Sequence, residues 1–482
     1  MGSVVLGLLA GSGASPVLVL AALLAPAVLA GTLLRPDLGL LVLVLMVFTR
    51  LSDVAVAFHS TPSVLQPFLL LLVISLAVRS YRLGVAPSGM GLPMALFAGY
   101  GAVLSLSLFF APDFEAANLS FTSYVRDAVV ALLAVALVRE AKTLERVVWV
   151  LIGAGGLLAA LGVYQYLTGN FGQNFGGFAQ ARVLNIAAGK EDYRISGPIE
   201  DANHWAQALL VVVPLALGRL HRSRTRWGKA AAGAALPFLL AAVFFTFSRG
   251  ALLALVVVGL VACVLRPPPA WAVALVAVCG VLLLPVVPSA YVQRVGQLAG
   301  ALTGLEGGQT GEASLSGRLS AIRAGEQMIR ENPVVGVGLG QFQTAYPDYS
   351  RGQGVNTVVN GVEPHNLFLE VAAETGYLGV VGFAALVGTA LFRLWRGRRE
   401  LRAAGHRRPA DLVEDVLLGL LAYLMSGMFV HNAYPRFFWL LIGIALAVPY
   451  VVTDVLRRAD ALAGEARPAG AGPRLRQPAG VR

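Results

Sequence analysis

Long apolar runs alternate with short polar segments along most of the chain. At 1.5 Å per residue, these runs are long enough to cross about 30 Å of hydrocarbon once tilt and local thinning of the bilayer are allowed for. A helix satisfies every backbone polar group inside a membrane, so each run predicts a membrane-spanning helix. The predicted spans are 16–34, 38–56, 62–79, 92–110, 121–138, 145–167, 203–218, 230–247, 250–265, 270–288, 366–392, 412–430 and 437–455.

Two polar stretches interrupt this pattern, at about 168–202 and about 289–365. The predicted fold class is an all-α polytopic membrane protein with about 12–13 transmembrane helices and a large, partly helical outer loop. The number of transmembrane helices stays open between 12 and 13, because one of the early apolar segments need not cross the membrane. The sequence shows no internal repeat and no broken helices at matching positions in two halves. The predicted divisions are N-terminal transmembrane helices over 1–288, the large loop over 289–365, C-terminal transmembrane helices over 366–455 and a disordered cytoplasmic tail over 456–482.

The large loop contains a second kind of pattern. An amphipathic helix is predicted up to Glu331, with Ser316 as its N-cap, Arg318 in its first turn, and an apolar face formed by Leu319, Ile322 and Ile329. A glycine-rich run, Val334-Val335-Gly336-Val337-Gly338-Leu339-Gly340, follows this helix. No βαβ unit surrounds the run, which argues against a dinucleotide site.

Composition supports the membrane assignment and orients the chain. Apolar residues make up 57% and charged residues 13%, which excludes a soluble globular enzyme and a disordered chain. Of the 37 lysines and arginines, 25 fall on one side of the predicted membrane, and the positive-inside rule makes that side cytoplasmic. The net charge of +11 is scattered among the spans, so nucleic acid is not an expected partner. Both polar stretches then lie outside.

Four basic residues on the outer side are candidates for chemistry: Arg194, Arg249, Arg318 and His365. Each has an ordinary alternative, namely a solvated loop arginine, an interfacial arginine at a turn, an arginine paired with a carboxylate, or a structural histidine. Together they describe an outer cavity rich in arginine and poor in acids, which suits an anionic substrate such as a lipid diphosphate. No HxxxH or HExxH spacing occurs, so no metal is predicted.

Several motifs, in this order, resemble the O-antigen ligase/polymerase superfamily. They are Arg194-Ile195-Ser196-Gly197 with Asp201 and Asn203, Ser248-Arg249-Gly250, Gly317-Arg318 through Asn332-Pro333 and Gly336-Val337-Gly338, then Pro364-His365-Asn366-Leu367-Phe368-Leu369-Glu370 and Glu374-Thr375-Gly376.

The resemblance implies a GT-C-type glycosyltransferase of the bacterial inner membrane, with its active site facing the periplasm. Such enzymes take a glycan from an undecaprenyl-diphosphate carrier and transfer it to lipid A–core or to a growing polysaccharide, without cofactor or metal. Carried over by motif, the resemblance implies that Arg249 and Arg318 bind the diphosphate and that His365 either activates the acceptor hydroxyl or assists the leaving diphosphate. Further substrate contacts are expected from residues flanking these motifs, namely Arg194, Asn203, Asn366 and Glu370.

A different class of function uses the same residues without chemistry. A transporter or flippase of an anionic lipid-linked sugar would also need outer arginines. The helix-bearing outer loop and the histidine at its end favour the transferase, whereas a transporter more often shows repeats and broken helices.

Overall fold

The computed structural model describes residues 16–84, 87–187, 190–267, 309–351, 362–431 and 435–465. The described part is mostly helical and contains one β-hairpin. In chain order the elements are α1 (Pro16–Leu34), α2 (Pro36–Thr49), α3 (Leu51–His59), α4 (Leu65–Leu83), α5 (Gly91–Leu108), α6 (Phe114–Leu137), α7 (Ala141–Thr168), β1 (Gln180–Ala187), β2 (Lys190–Gly197), α8 (Ala202–Arg222), α9 (Arg226–Phe245), α10 (Arg249–Leu265), α11 (Gln309–Glu331), α12 (Phe342–Ser350), α13 (Leu367–Ala403), α14 (Arg407–Ser426) and α15 (Arg436–Glu465).

The helices confirm the predicted class, an all-α polytopic membrane protein. Helices occupy every predicted span except 270–288, which lies outside the described residues. Seven described helices are long and apolar enough to cross a membrane, or eight if the bent pair α2–α3 is one span. This number covers the described residues only, whereas the predicted 12–13 includes 270–288. Helices α8 and α14 fall short because they carry polar side chains, and most of their residues are buried in the bundle. A helix enclosed by other helices does not need an apolar surface towards lipid.

Two of the described helices are interrupted. Helices α2 and α3 meet at 55°, where Arg50 takes a left-handed conformation with φ of 52°. Helix α13 breaks at Gly376, whose φ of 61° and ψ of −164° lie outside helical space. A transporter more often shows broken helices at matching positions of two repeats, and these two interruptions do not by themselves define such a repeat.

The first outer stretch forms a hairpin that sequence patterning did not predict. Strands β1 and β2 pair antiparallel, with Arg182 opposite Arg194. Two glycines let the hairpin sit on the bundle. A Cβ on Gly162 of α7 would lie 3.1 Å from Ile195, and one on Gly197 would lie 2.5 Å from the Trp205 ring.

An aromatic cluster packs the centre of the bundle. Trp439 of α15 is fully buried, and its ring lies 5.4 Å from that of Tyr124 and 5.8 Å from that of Phe97. Helix α15 continues to Glu465, so ten residues of the segment assigned to the tail are helical. The rest of that segment lies outside the described residues.

The helix of the large outer loop differs from its prediction in two respects. It begins at Gln309, so the prediction that Ser316 caps it is wrong, and Arg318 lies about two and a half turns inside. The predicted apolar face is also wrong, because Leu319 and Ile322 are exposed. The buried face is formed by Ala321, Ala324 and Met328, which pack with Phe342 and Tyr346 of α12 and with Ala373 of α13.

The glycine-rich run docks on the break in α13. The Val337 N–H donates to the Ala373 carbonyl at 2.9 Å, and the Tyr377 N–H donates to the Pro333 carbonyl at 2.7 Å. A Cβ on Gly376 would lie 2.5 Å from the Val334 carbonyl carbon, and one on Gly336 would lie 2.3 Å from that of Glu374. Two stretches of backbone thus approach each other where only glycine fits.

Glu374 strengthens this docking. Its buried carboxylate accepts the Gly340 N–H at 2.9 Å and the Phe342 N–H at 3.2 Å. The Phe342 N–H belongs to the first residue of α12, where a carboxylate also interacts favourably with the helix dipole. Glu374 therefore attaches the outer loop to α13.

At the other end of the bundle, arginines predicted only to set topology bind acids of α14. Asp415 is 1% exposed and lies 3.1 Å from Arg222 and 2.9 Å from Arg266. Such pairing keeps the buried carboxylates from being left without a counter-charge. The acids are Asp411, Glu414 and Asp415, and the arginines are Arg219, Arg222, Arg266, Arg398 and Arg402.

We predict that Gly376→Ala destabilises the protein, because the added Cβ meets Val334 and the backbone conformation suits glycine alone. The strain is about 1–3 kcal/mol before any clash, so the melting temperature in detergent should fall. The control is Gly388→Ala on the same helix, where a Cβ would have no neighbour within 4 Å. Equal melting temperatures for the two variants would contradict the docking described.

Candidate functional site

Three helices begin at one end of the bundle, around the end of α14. Their N-caps are Asp201 for α8, Ser248 for α10 and Asn366 for α13, and each side chain accepts backbone N–H groups of its own helix. Helix N-termini carry partial positive charge. This end of the bundle therefore favours anions before any side-chain charge is considered.

The segment after α14 holds these helix starts together. The Leu367 N–H donates to the Gly427 carbonyl at 2.8 Å, which attaches the start of α13. A Cβ on Gly250 would lie 2.5 Å from the Cβ of Phe429, so the start of α10 packs directly on the same segment. Gly250 thus fixes the position of its neighbour Arg249.

Arg318 is placed by close packing of α11 on α13. A Cβ on Gly325 would lie 2.9 Å from Leu369, so the helices touch about two turns away from Arg318. Burial lowers the pKa of the Arg318 guanidinium, and the nearby charge of Arg249 lowers it further. Two guanidinium groups from different helices therefore repel each other at this site.

His365 lies near Arg318 and has a strained backbone conformation. It follows Pro364 and has a φ of 46°, in the left-handed region that residues other than glycine rarely occupy. Such strain is common at functional positions. Burial lowers the pKa of the His365 imidazole, and the charges of His431 and Arg318 act in the same direction. His365 is therefore neutral near pH 7 and able to accept a proton.

Two further histidines complete a cluster around His365. The ring of His431 lies 5.7 Å from that of His365 and 4.8 Å from that of His204, and both pairs are arranged edge to face. The His431 Nε2 lies 3.2 Å from a carboxylate oxygen of Glu363. This hydrogen bond to His431 holds the pKa of the Glu363 carboxyl below its ordinary value.

Arg194 reaches the same region from the hairpin. Its neighbours Ile195 and Gly197 pack on α7 and on Trp205 of α8, which fixes the strand. Burial lowers the pKa of the Arg194 guanidinium, while Asp201 acts to raise it. Its buried Nε has no hydrogen-bond partner among the described residues.

The short contacts of the site's carboxylates are to histidines, although the charge of Asp201 also acts on Arg194 from a longer distance. Asp201 lies 3.7 Å from His204, and Glu363 is bonded to His431. Within the described ranges, Arg194, Arg249 and Arg318 have no carboxylate within 4 Å. This contrasts with the opposite end of the bundle, where acids of α14 accompany the arginines. Partly buried cations without a counter-charge raise the free energy of the folded protein, so Arg249 and Arg318 make this site suited to an anion.

The other residues predicted to bind substrate, Asn203, Asn366 and Glu370, lie in the first turns of helices or at a helix cap. Asn203 lies in the first turn of α8, and Asn366 caps α13 with its side-chain oxygen, which accepts the Phe368 and Leu369 N–H groups at 2.9 and 3.1 Å. Glu370 is 8% exposed in the first turns of α13. A role for these three residues in substrate binding stays a prediction.

One group of side chains has a spacing that would accept a metal ion. Ligand atoms of Glu363, His365 and His431 all lie within 4.8 Å of one another. Imidazole and carboxylate are suitable ligands for zinc and similar ions. The positive charge of the neighbouring Arg318 would repel a metal ion at this place. That the site works without a metal stays a prediction.

The middle of the chain matches a known family. Residues 234–384, about a third of the chain, match the family model described as O-antigen ligase. This stretch of the chain is therefore similar to an O-antigen ligase domain. The superfamily resemblance of the motifs is confirmed. No curated protein matches the chain significantly.

The matched region contains Arg249, Arg318 and His365 but not the whole cluster. Arg194, Asp201 and His204 precede it and His431 follows it. Sequence patterning missed Glu363 and His431 as site residues. The available signal was that His431 follows a predicted span on the same outer side as His365. A single histidine in the sequence does not indicate a functional site until the residues around it in space are known.

Proposed function

We propose that the protein transfers a glycan from an undecaprenyl-diphosphate carrier to an acceptor hydroxyl, on the outer face of a bacterial inner membrane. The observation that carries this proposal is the meeting of Arg249, Arg318 and His365, with both arginines lacking a described carboxylate partner. The acceptor is lipid A–core or a growing polysaccharide. The outward orientation rests on the distribution of lysine and arginine.

In this mechanism the acceptor oxygen attacks the anomeric carbon of the donor sugar. His365 accepts the proton of the acceptor hydroxyl as the new glycosidic bond forms. The bond from the anomeric carbon to the diphosphate oxygen breaks, and the diphosphate leaves with the electron pair. Arg249 and Arg318 stabilise the negative charge that develops on the leaving group, in a partly buried place where such stabilisation is strong. Arg194 supplies a further contact to the donor.

No step of this mechanism requires a metal, because arginines neutralise the diphosphate. Metal independence stays a prediction of the proposal. Glu363 and His431 act through His365, as positioning residues.

We predict that His365→Ala reduces glycan transfer about 100-fold or more, which is the usual contribution of a general base. Transfer to acceptor is measured with purified protein and lipid-linked donor. His221→Ala is the control, because His221 is exposed at the opposite end of α8. Full activity in His365→Ala, with normal folding, would contradict the catalytic role and leave transport as the alternative.

The rate of transfer should depend on pH through His365. A base acts in its neutral form, and the pKa of His365 lies below its ordinary value of 6.5. The rate should therefore be constant near neutral pH and fall only as the pH drops below 6.5, through the pKa of His365. The profile of kcat/KM checks this. An acid limb centred above 6.5 would show that another group controls the rate.

Arg318→Lys should lower kcat/KM about tenfold to 100-fold. Lysine keeps the charge but loses the planar two-pronged contact that a guanidinium makes with phosphate oxygens. The matched control is Arg323→Lys, an exposed arginine on the same helix. If the two variants behaved alike, the diphosphate contact assigned to Arg318 would be wrong.

A deletion strain tests which acceptor is used. Loss of attached surface glycan, with long chains retained on the carrier lipid, is expected for a ligase. Accumulation of single repeat units on the carrier is expected for a polymerase. An unchanged surface glycan would contradict both forms of the proposal.

A further inference from the structure

A cavity of about 1000 Å³ lies at the end of the bundle opposite to the candidate site. Its walls come from the α1–α2 turn, the end of α4, the α6–α7 turn and α15. Thr143 of α7 lines this cavity, whereas the last residue of α7, Thr168, precedes the hairpin that carries Arg194. These 25 residues of helix separate the two places by about 38 Å. No lining residue falls within the matched region 234–384.

The cavity is lined by more cations than anions. Its carboxylates are Asp37, Glu140 and Asp454. Its cations come from four different walls, and they are Arg35, Arg79, Arg139, Lys142, Arg146 and Arg457. On the predicted threading this is the cytoplasmic end, where basic residues collect.

The carboxylates are already neutralised. Asp37 lies 3.0 Å from Arg35 and 3.5 Å from Arg146. Glu140 and Asp454 both pair with Arg458, at 2.9 and 2.7 Å, and Arg458 does not line the cavity. These carboxylates therefore do not neutralise the positive charges of the other cations that line the cavity.

Four lining cations have no carboxylate within 4 Å among the described residues. Three of them, Arg79, Lys142 and Arg457, are exposed. The fourth, Arg139, is fixed in position, because it donates to the Ser88 carbonyl at 2.8 Å and stacks over the Tyr450 ring at 3.9 Å. A rigid guanidinium among three free cations forms a preorganised place for a negative group.

Apolar residues share the lining with these cations. Leu34 and Leu83 are 77% and 63% exposed, and both line the cavity together with Leu76 and Leu137. A free inorganic anion gains nothing from such surfaces. A molecule with an anionic head and hydrocarbon chains uses both kinds of lining.

We propose that this cavity binds the phosphate-bearing headgroup of an anionic glycerophospholipid from the membrane leaflet on this side. The phosphate lies among Arg79, Arg139, Lys142 and Arg457, and the acyl chains extend along the exposed leucines. The site is independent of the glycan-transfer site, so its test does not depend on the proposed function.

The experiment uses the full-length protein in detergent, titrated separately with phosphatidylglycerol and phosphatidylcholine, with the bound lipid counted by native mass spectrometry. The cavity variant is Arg79→Gln/Lys142→Gln/Arg457→Gln. The control variant, Arg224→Gln/Arg407→Gln/Arg408→Gln, removes three exposed charges at the same end but outside the cavity. Each basic residue strengthens attraction to an anionic lipid roughly fivefold. The cavity variant should therefore lose at least about tenfold in affinity for phosphatidylglycerol, while the control stays near wild type.

Three results would overturn the proposal. Equal losses in both variants would mean that general surface charge attracts the lipid. Equal affinity of the wild type for phosphatidylcholine would mean that the cations do not select the headgroup. Displacement of phosphatidylglycerol by millimolar inorganic phosphate would mean that the site takes a free anion and not a lipid.

Discussion

The contact on which the site depends is the docking of the glycine-rich outer segment on the break in α13. Helix α13 would otherwise be continuous, but at Gly376 its backbone opens and pairs with the loop. Glu374 adds two hydrogen bonds from its carboxylate. Because backbone meets backbone there, no other residue type fits, and the loop has one position along α13. That position brings α11, and with it Arg318, to the start of α13 where His365 lies.

The two ends of the bundle handle charge in opposite ways. Around α14, at one end, buried acids pair with arginines and the charges largely cancel. At the other end three arginines lie near three helix N-termini, and the carboxylates are beside histidines. A cation that is partly removed from water and left unpaired is destabilising until an anion arrives. The unpaired charges therefore lower the stability of the candidate site until it binds an anion.

The predictable part of the site was the part carried by local sequence. The Ser248-Arg249-Gly250 turn and the sequence around His365 are contiguous, and their order along the chain identified the family. The Ser316 cap and the Leu319 face were wrong because the helix extends further back and buries its small residues on α13. A pattern of large apolar residues does not reveal a contact made by alanine and glycine. The hairpin was missed for a related reason, since its register depends on packing against α7 and Trp205.

The sequence by itself determined the membrane class, most helix positions and the candidate residues Arg249, Arg318 and His365. These follow from local properties: the length of apolar runs, the cost of unsatisfied backbone in lipid, and short motifs. Tertiary structure alone decided that His431 and Glu363 join His365, that Glu374 anchors the loop, and that, at the opposite end of the bundle, several arginines pair with acids of α14 while others line a cavity. Those outcomes depend on which helix ends meet across gaps of tens to hundreds of residues, and one-dimensional patterning carries no information about such distances.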